Sequence, residues 1–113
     1  MRLVIIESPY AGDVERNVEY ARAAVRHSLS LGEAPIASHL LYTQSGILND
    51  DVPDERQWGI GAGLAWRSVA EATVVYRDLG VTDGMEYGIL AALEAGNPVE
   101  YRNIYPEGVK GHE

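Results

Sequence analysis

Hydrophobic positions along this chain switch repeatedly between short continuous runs and helical spacing, a pattern that predicts strands alternating with helices. Leu3-Val4-Ile5-Ile6 is an unbroken apolar run, as expected of a strand covered on both faces. After the turn Pro9-Tyr10-Ala11-Gly12-Asp13, residues Val14, Val18, Ala21 and Val25 recur at helical spacing as far as Gly32, and Asp13 is placed to cap the start. A second strand is predicted over 36–41, Ile36-Ala37-Ser38-His39-Leu40-Leu41, followed by a polar loop over 43–51. Pro53 and Asp54 then open a helix that sets Trp58, Ala62, Ala65, Trp66 and Val69 on one face, either core or subunit interface. Thr73-Val74-Val75-Tyr76 is the third strand, 85–95 the third helix and 98–104 the fourth strand. From residue 105 onward, with Pro106, Gly108 and Gly111, the pattern stops. The alternation argues for an α/β class with one domain over 1–104 and an irregular tail over 105–113: a small parallel sheet of four to five strands, right-handed crossovers and helices on both faces.

In such a sheet the turn at 9–13 and the turn Asp78-Leu79-Gly80-Val81-Thr82-Asp83-Gly84-Met85 both follow strands and both open helices. They are expected to form the mouth where open parallel sheets bind ligands. Composition narrows what can bind there. The chain has 113 residues, enough for a single core. The absence of Cys removes thiol nucleophiles, disulfides and thiolate metal sites, and three histidines (His27, His39, His112) argue against a His-rich metal site. A net charge of −8 opposes binding to nucleic acid polymers, which calls for a basic face. No apolar run reaches the length of about 18 residues needed to cross a membrane, and Met1-Arg2-Leu3 leads directly into a strand, so a cytoplasmic protein is expected. The expected partner is a small molecule, with no cofactor and no metal.

Several residues in the two turns have chemistry to offer. Tyr10 is suited to stacking a base or sugar beside the amides of Ala11, Gly12 and Asp13, and Arg16 and Asn17 can reach a phosphate held there. Asp78, just past a strand end, is expected to point into the crevice. Asp83 can orient a sugar hydroxyl or simply cap its helix, while Glu86 can serve as base or nucleophile or simply suit the helix dipole. Glu7 ends the first strand; facing the crevice it is a spare carboxylate, although a solvated strand end is the reading favoured here. His39 permits acid–base chemistry, or is a hydrogen-bonded structural histidine. Asp50, Asp51, Asp54 and Glu55 read as a solvated acidic run without the spacing of a cation loop, and Arg56 within it can reach a phosphate.

The order of these segments resembles the nucleoside 2-deoxyribosyltransferase-like superfamily, in its small and often phage-encoded branch. The resemblance spans residues 3–104 and is carried by the Tyr-Ala-Gly turn, the Ser-His-Leu segment, the acidic loop, the Trp-rich helix and Asp-Leu-Gly-Val-Thr-Asp-Gly-Met before a helix ending Ala-Gly-Asn-Pro-Val. It implies a flavodoxin-like (Rossmannoid) sheet, a homo-oligomer whose sites are completed across subunits, and a nucleoside or nucleotide ligand; the small size and the two Trp on one helix put Trp58 or Trp66 at or near the expected contact. It also implies an N-glycosidase or deoxyribosyltransferase reaction in which a Glu on the helix after the third strand attacks the anomeric carbon. Aligning Gly84, Met85 and Ile89 with the superfamily pattern puts Gly88 at that nucleophile position. Glu86 lies about 200° away around the helix, since each residue advances 100°. A binding protein that senses or sequesters its ligand is therefore expected, with Glu86, Asp83 and Asp78 as the carboxylates available if there is catalysis and Gly88 leaving room in the sugar site.

Overall fold

The computed structural model describes residues 1–105; Pro106, Gly108, Gly111 and His112 lie outside the described residues. The elements run β1 (Arg2–Glu7), α1 (Val14–Ser30), β2 (Glu33–Ile36), α2 (Ser38–Leu41), α3 (Pro53–Ala65) with a 3₁₀ turn at Trp66–Ser68, β3 (Ala72–Tyr76), α4 (Asp83–Glu94) and β4 (Val99–Arg102). All pairings are parallel and the strand order is β2-β1-β3-β4. The register sets Val4 beside Ala72 and Pro35, and Thr73 beside Val99. The chain moves outward from β1 to β2 and then returns past β1 to β3, so β1 and β3 are neighbours whose following turns diverge, which opens a crevice at their carboxyl ends.

Each face of the sheet has its own core. Val4, Ile6, Val74 and Tyr76 pack with Tyr20 and Ala24 of α1, whereas Val75 packs with Met85 and Ile89 of α4. Val4, Ile5, Ile6, Val74 and Val75 are all essentially buried, and each such side chain contributes about 1.5–3 kcal/mol relative to exposure. The alternation along β1 places Glu7 on the same face as Ile5, turned toward α4 and away from α1.

Three expectations need correction. The second strand is not 36–41: Gly32, at φ +81°, turns the chain out of α1 early, β2 occupies Glu33–Ile36, and Ser38–Leu41 forms a short helix. Pro35 is tolerated because β2 is an edge strand and needs fewer ladder donors. The stripe that α1 buries is Asn17, Tyr20, Ala21, Ala24 and Ser28, and Val14 is exposed, because the two alanines allow close approach to the sheet. In α3 the inward residues are Gly63 and, in the next turn, Arg67; Trp58 is 71% exposed and Trp66 39%, so the Trp face is not core.

Candidate active site

A cleft of about 730 Å³ opens above the carboxyl ends of β1, β2 and β3, with α3 as its far wall. Glu7 and Ser8 leave β1 into it, Tyr10 and Ala11 come from the next turn, Ser38 and His39 from α2, and Thr82, Asp83, Gly84 and Met85 from the start of α4. Asp50, Glu55 and Arg56 border it from the loop and helix opposite.

The arrangement around Glu7 is the feature that sets this cleft apart. Its carboxylate fills the space that a side chain at position 88 would need: a Cβ built on Gly88 would stand 2.6 Å from Glu7 Cδ and 2.8 Å from Oε1. The Glu7 side chain is only 14% exposed, and Oε2 is paired with Arg67 Nη2. Arg67 itself is 5% exposed; its Nη1 donates to Gly63 O at 2.8 Å and its Nη2 reaches Gly88 O at 3.5 Å, while Nε is buried with no hydrogen-bond partner among the described residues. Burial pushes the Glu7 carboxyl up to about 7, against the pull of the Arg67 guanidinium. A carboxyl held near neutrality in a cleft has the proton affinity that acid–base or nucleophilic work requires.

Beside it, Ser8 Oγ and His39 Nε2 share a hydrogen bond of 2.6 Å. Burial, reinforced by the positive charge of Arg67, lowers His39 to about 4, so its imidazole is neutral at physiological pH. In the structure it is the short helix α2 that carries His39 to Ser8.

The cleft brings together part of the set expected from sequence. Tyr10, Ala11, His39, Asp83, Gly84 and Met85 line it. Gly12, at φ +98°, turns the chain beside an adjoining groove of about 840 Å³ that shares Tyr10, Ala11 and Arg56 with the cleft. Asp13 caps α1, accepting from Arg16 N at 3.2 Å, and Arg16 is exposed and away from the cleft. Asn17 does not line the cleft: its Nδ2 donates to Tyr10 O at 2.9 Å and to Ala11 O at 3.1 Å, which holds the turn from beneath, and its Oδ1 is buried with no hydrogen-bond partner among the described residues. Asp78 does not point into the crevice either. Its Oδ1 accepts from the Tyr20 hydroxyl at 2.5 Å and from Ile104 N at 2.7 Å, and Oδ2 accepts from Tyr105 N at 3.2 Å. Burial alone would raise this carboxyl, but these hydrogen bonds outweigh it and the pKa is lowered. Glu86 is exposed on α4 and absent from the cleft wall, and Gly88 lies under Glu7. Asp83 follows the cap of α4; the capping oxygen is Thr82 Oγ1, which accepts from Met85 N at 3.3 Å.

Two residues of the site have no part in the sequence reading, Ser8 and Arg67. A signal for Arg67 was present: Gly59, Gly63 and Arg67 recur every four residues, a small-residue stripe on α3 that ends in a charge. A hypothetical Cβ on Gly63 would stand 2.6 Å from Ser38 Oγ, so the glycine lets α3 lie close to α2 and brings Arg67 within reach of Glu7.

A family model described as a domain of unknown function, DUF7768, matches residues 2–102. No curated protein matches the chain. Among solved structures, the 2-deoxyribosyltransferase of the psychrotolerant bacterium Bacillus psychrosaccharolyticus superposes with a TM-score of 0.68 at 15% sequence identity, over 96% of this chain and 77% of that one. The fold is thus a deoxyribosyltransferase-like parallel α/β sheet. Among the described residues no helix is long and apolar enough to cross a membrane.

Proposed function

The chain belongs to the family described as a domain of unknown function, DUF7768, and we propose that its cleft binds a nucleoside or nucleotide and cleaves or transfers the N-glycosidic bond, with Glu7 as the reacting carboxylate. The observation that carries this reading is that the Glu7 carboxylate stands where a side chain on residue 88 would be. Glycine at 88 then does not delete the nucleophile. It makes room for one supplied by β1.

In the hydrolytic course, a Glu7 oxygen attacks the anomeric carbon while the carbon–nitrogen bond breaks, its electron pair leaving with the base. Water then displaces Glu7, so that the sugar gains a hydroxyl and the base ends with the other proton of that water. In this scheme Tyr10 and Asp83 of the cleft wall take the roles of stacking against the base or sugar and of accepting from a sugar hydroxyl. Ser8, oriented by the neutral His39, offers a hydroxyl next to the reacting carboxylate. Asp78 and Glu86 have no role in this scheme, since one holds the chain after β4 and the other faces solvent.

The decisive experiment follows base release chromatographically from 2′-deoxynucleosides and their 5′-monophosphates. Wild type is expected to release base, and Glu7→Gln to lose at least about 100-fold in rate, the low end of what a positioned proton-transfer or nucleophilic group contributes. Release that survives Glu7→Gln overturns the assignment. The second reading, ligand binding without turnover, is favoured by the Glu7–Arg67 pair, since an ion-paired carboxylate is a weaker nucleophile. Tight binding by wild type with no release would establish it. In either case we propose a homo-oligomer, supported by the exposure of Trp58 on α3, Trp66 in the turn after it, and Leu90 and Leu93 on α4.

A further inference from the structure

We propose that the cleft selects an unphosphorylated nucleoside over the corresponding 5′-monophosphate. This rests on the reading of the cleft as a nucleoside site and concerns what that site rejects. A phosphate in a parallel α/β crevice ordinarily finds free amides at a helix N-terminus or a basic side chain facing it. Here the two helices that open at the mouth are already capped by their own side chains. Asp13 accepts from Arg16 N at the start of α1, and Thr82 Oγ1 accepts from Met85 N at the start of α4. Acidic side chains also occupy the positive ends of both helix dipoles: Glu15 in the first turn of α1, and Asp83 and Glu86 in the first turn of α4.

The walls have the same bias. Asp50, Glu55 and Asp83 line the cleft against Arg56, the single unpaired cation on its wall among the described residues, which is exposed and preceded in sequence by Asp54 and Glu55. Arg67 is turned to Glu7 and buried beside it, so the charges of the two neutralise each other. The walls are otherwise suited to a neutral ligand carrying hydroxyls and a ring: Tyr10, Tyr42, Ile60 and Met85 offer apolar surface, while the carboxylates accept from sugar hydroxyls. A doubly charged phosphate entering this field meets like charge in a partly desolvated cleft, and juxtaposed like charges are the usual means of rejecting a wrong partner.

The experiment is calorimetric titration of wild type with each 2′-deoxynucleoside and its 5′-monophosphate, at two ionic strengths, beside base-release assays on the same pairs. The nucleoside is expected to bind roughly tenfold or more tightly than its monophosphate at low salt. The gap should narrow as salt rises, because the screening length falls from about 30 Å at 0.01 M to about 10 Å at 0.1 M. The double variant Asp50→Asn, Glu55→Gln should narrow the gap at low salt by improving monophosphate affinity; the salt dependence of wild type gives the same information should that variant misfold. Tighter binding or faster cleavage of the monophosphate overturns the selectivity and leaves the N-glycosidase reading standing. A preference for the nucleoside that does not respond to salt also overturns it, since the discrimination would then not be electrostatic. Failure of every nucleoside and monophosphate to bind or react overturns both readings.

Discussion

Glycine at position 88 and glutamate at position 7 are one structural unit, because the absence of a side chain on α4 is what allows the β1 carboxylate to lie against its backbone. A methyl group on residue 88 would displace the carboxylate from Arg67, whose charge would then lie buried without its partner. Gly88→Ala is therefore expected to reduce base release by at least about tenfold, each 1.36 kcal/mol of lost transition-state stabilisation being a factor of ten, while circular dichroism stays native. Gly88→Glu, which from sequence alone looks like a restoration of a missing nucleophile, is expected to behave worse for the same steric reason. Unchanged release in a folded Gly88→Ala protein would show that Glu7 is not held where the reaction takes place. The wild-type rate is also expected to rise with pH through about 7, as the Glu7 carboxyl, raised by burial, gives up its proton.

At the scale of elements, local chemistry explains where the sequence reading of β2 and α3 departs from the structure. Residues 36–41 are mostly apolar, with Ile36, Ala37, Leu40 and Leu41, yet strand pairing with β1 stops at Ile36 and Ser38–Leu41 coils into a helix that packs on α3. Propensity for a short apolar run is a weak signal, and tertiary contact decides it. In α3 the conspicuous aromatic face is the outer one, and the inward face is the inconspicuous Gly59, Gly63, Arg67 stripe. With Trp58, Trp66, Leu90 and Leu93 all substantially exposed, a second copy of the chain is the expected cover for α3 and α4. Light scattering at micromolar concentration is expected to report a dimer or larger, and Trp58→Gln to shift it toward monomer with a stability change within about 0.5 kcal/mol per chain, as for surface substitutions. A monomeric wild type would contradict this.

Across the whole molecule, the sheet is tied together on its α1 face by a charged network that no local pattern announces. Arg2 on β1 pairs with Glu33 on β2 at 2.7 Å and with Glu100 on β4 at 2.6 Å. Arg102 on β4 pairs with Glu33 at 2.8 Å and donates to the Tyr76 hydroxyl on β3 at 3.0 Å, so the network touches every strand. The Arg102 hydrogen bonds, with those from Arg2 and Ser28, outweigh burial and hold the Glu33 carboxyl at about 2 instead of its ordinary 4.5. Between those values the unfolded chain binds more protons than the folded one, so the stability Glu33 contributes is intact above pH 4.5 and is lost as pH falls toward 2. Urea melts across that window are expected to show a fall in stability that is largely absent in Glu33→Gln, a variant already weaker at neutral pH by on the order of 3 kcal/mol because Arg102 loses its charged partner. An identical acid dependence in the two proteins would exclude Glu33 as its source.

The sequence by itself determined the class, the parallel sheet and the location of the mouth. Continuous apolar strands, the Asp13 cap and the turns at Gly12 and Gly80 are local signals that any packing of these elements has to respect. It also determined that position 88 has no side chain. What stands in that space was decided only in three dimensions, because Glu7, Arg67 and Gly88 lie on β1, the turn after α3, and α4, and nothing in their spacing encodes the contact. The same holds for Asp78 and for the amide nitrogen of Asn17, which suit a ligand by type but whose hydrogen bonds go to Tyr20, Ile104 and Tyr105 and to the Tyr10 and Ala11 carbonyls. A polar side chain beside a cleft serves whichever partner the fold brings within about 3 Å of it, and that distance is a property of packing, which the order of residues along the chain does not specify.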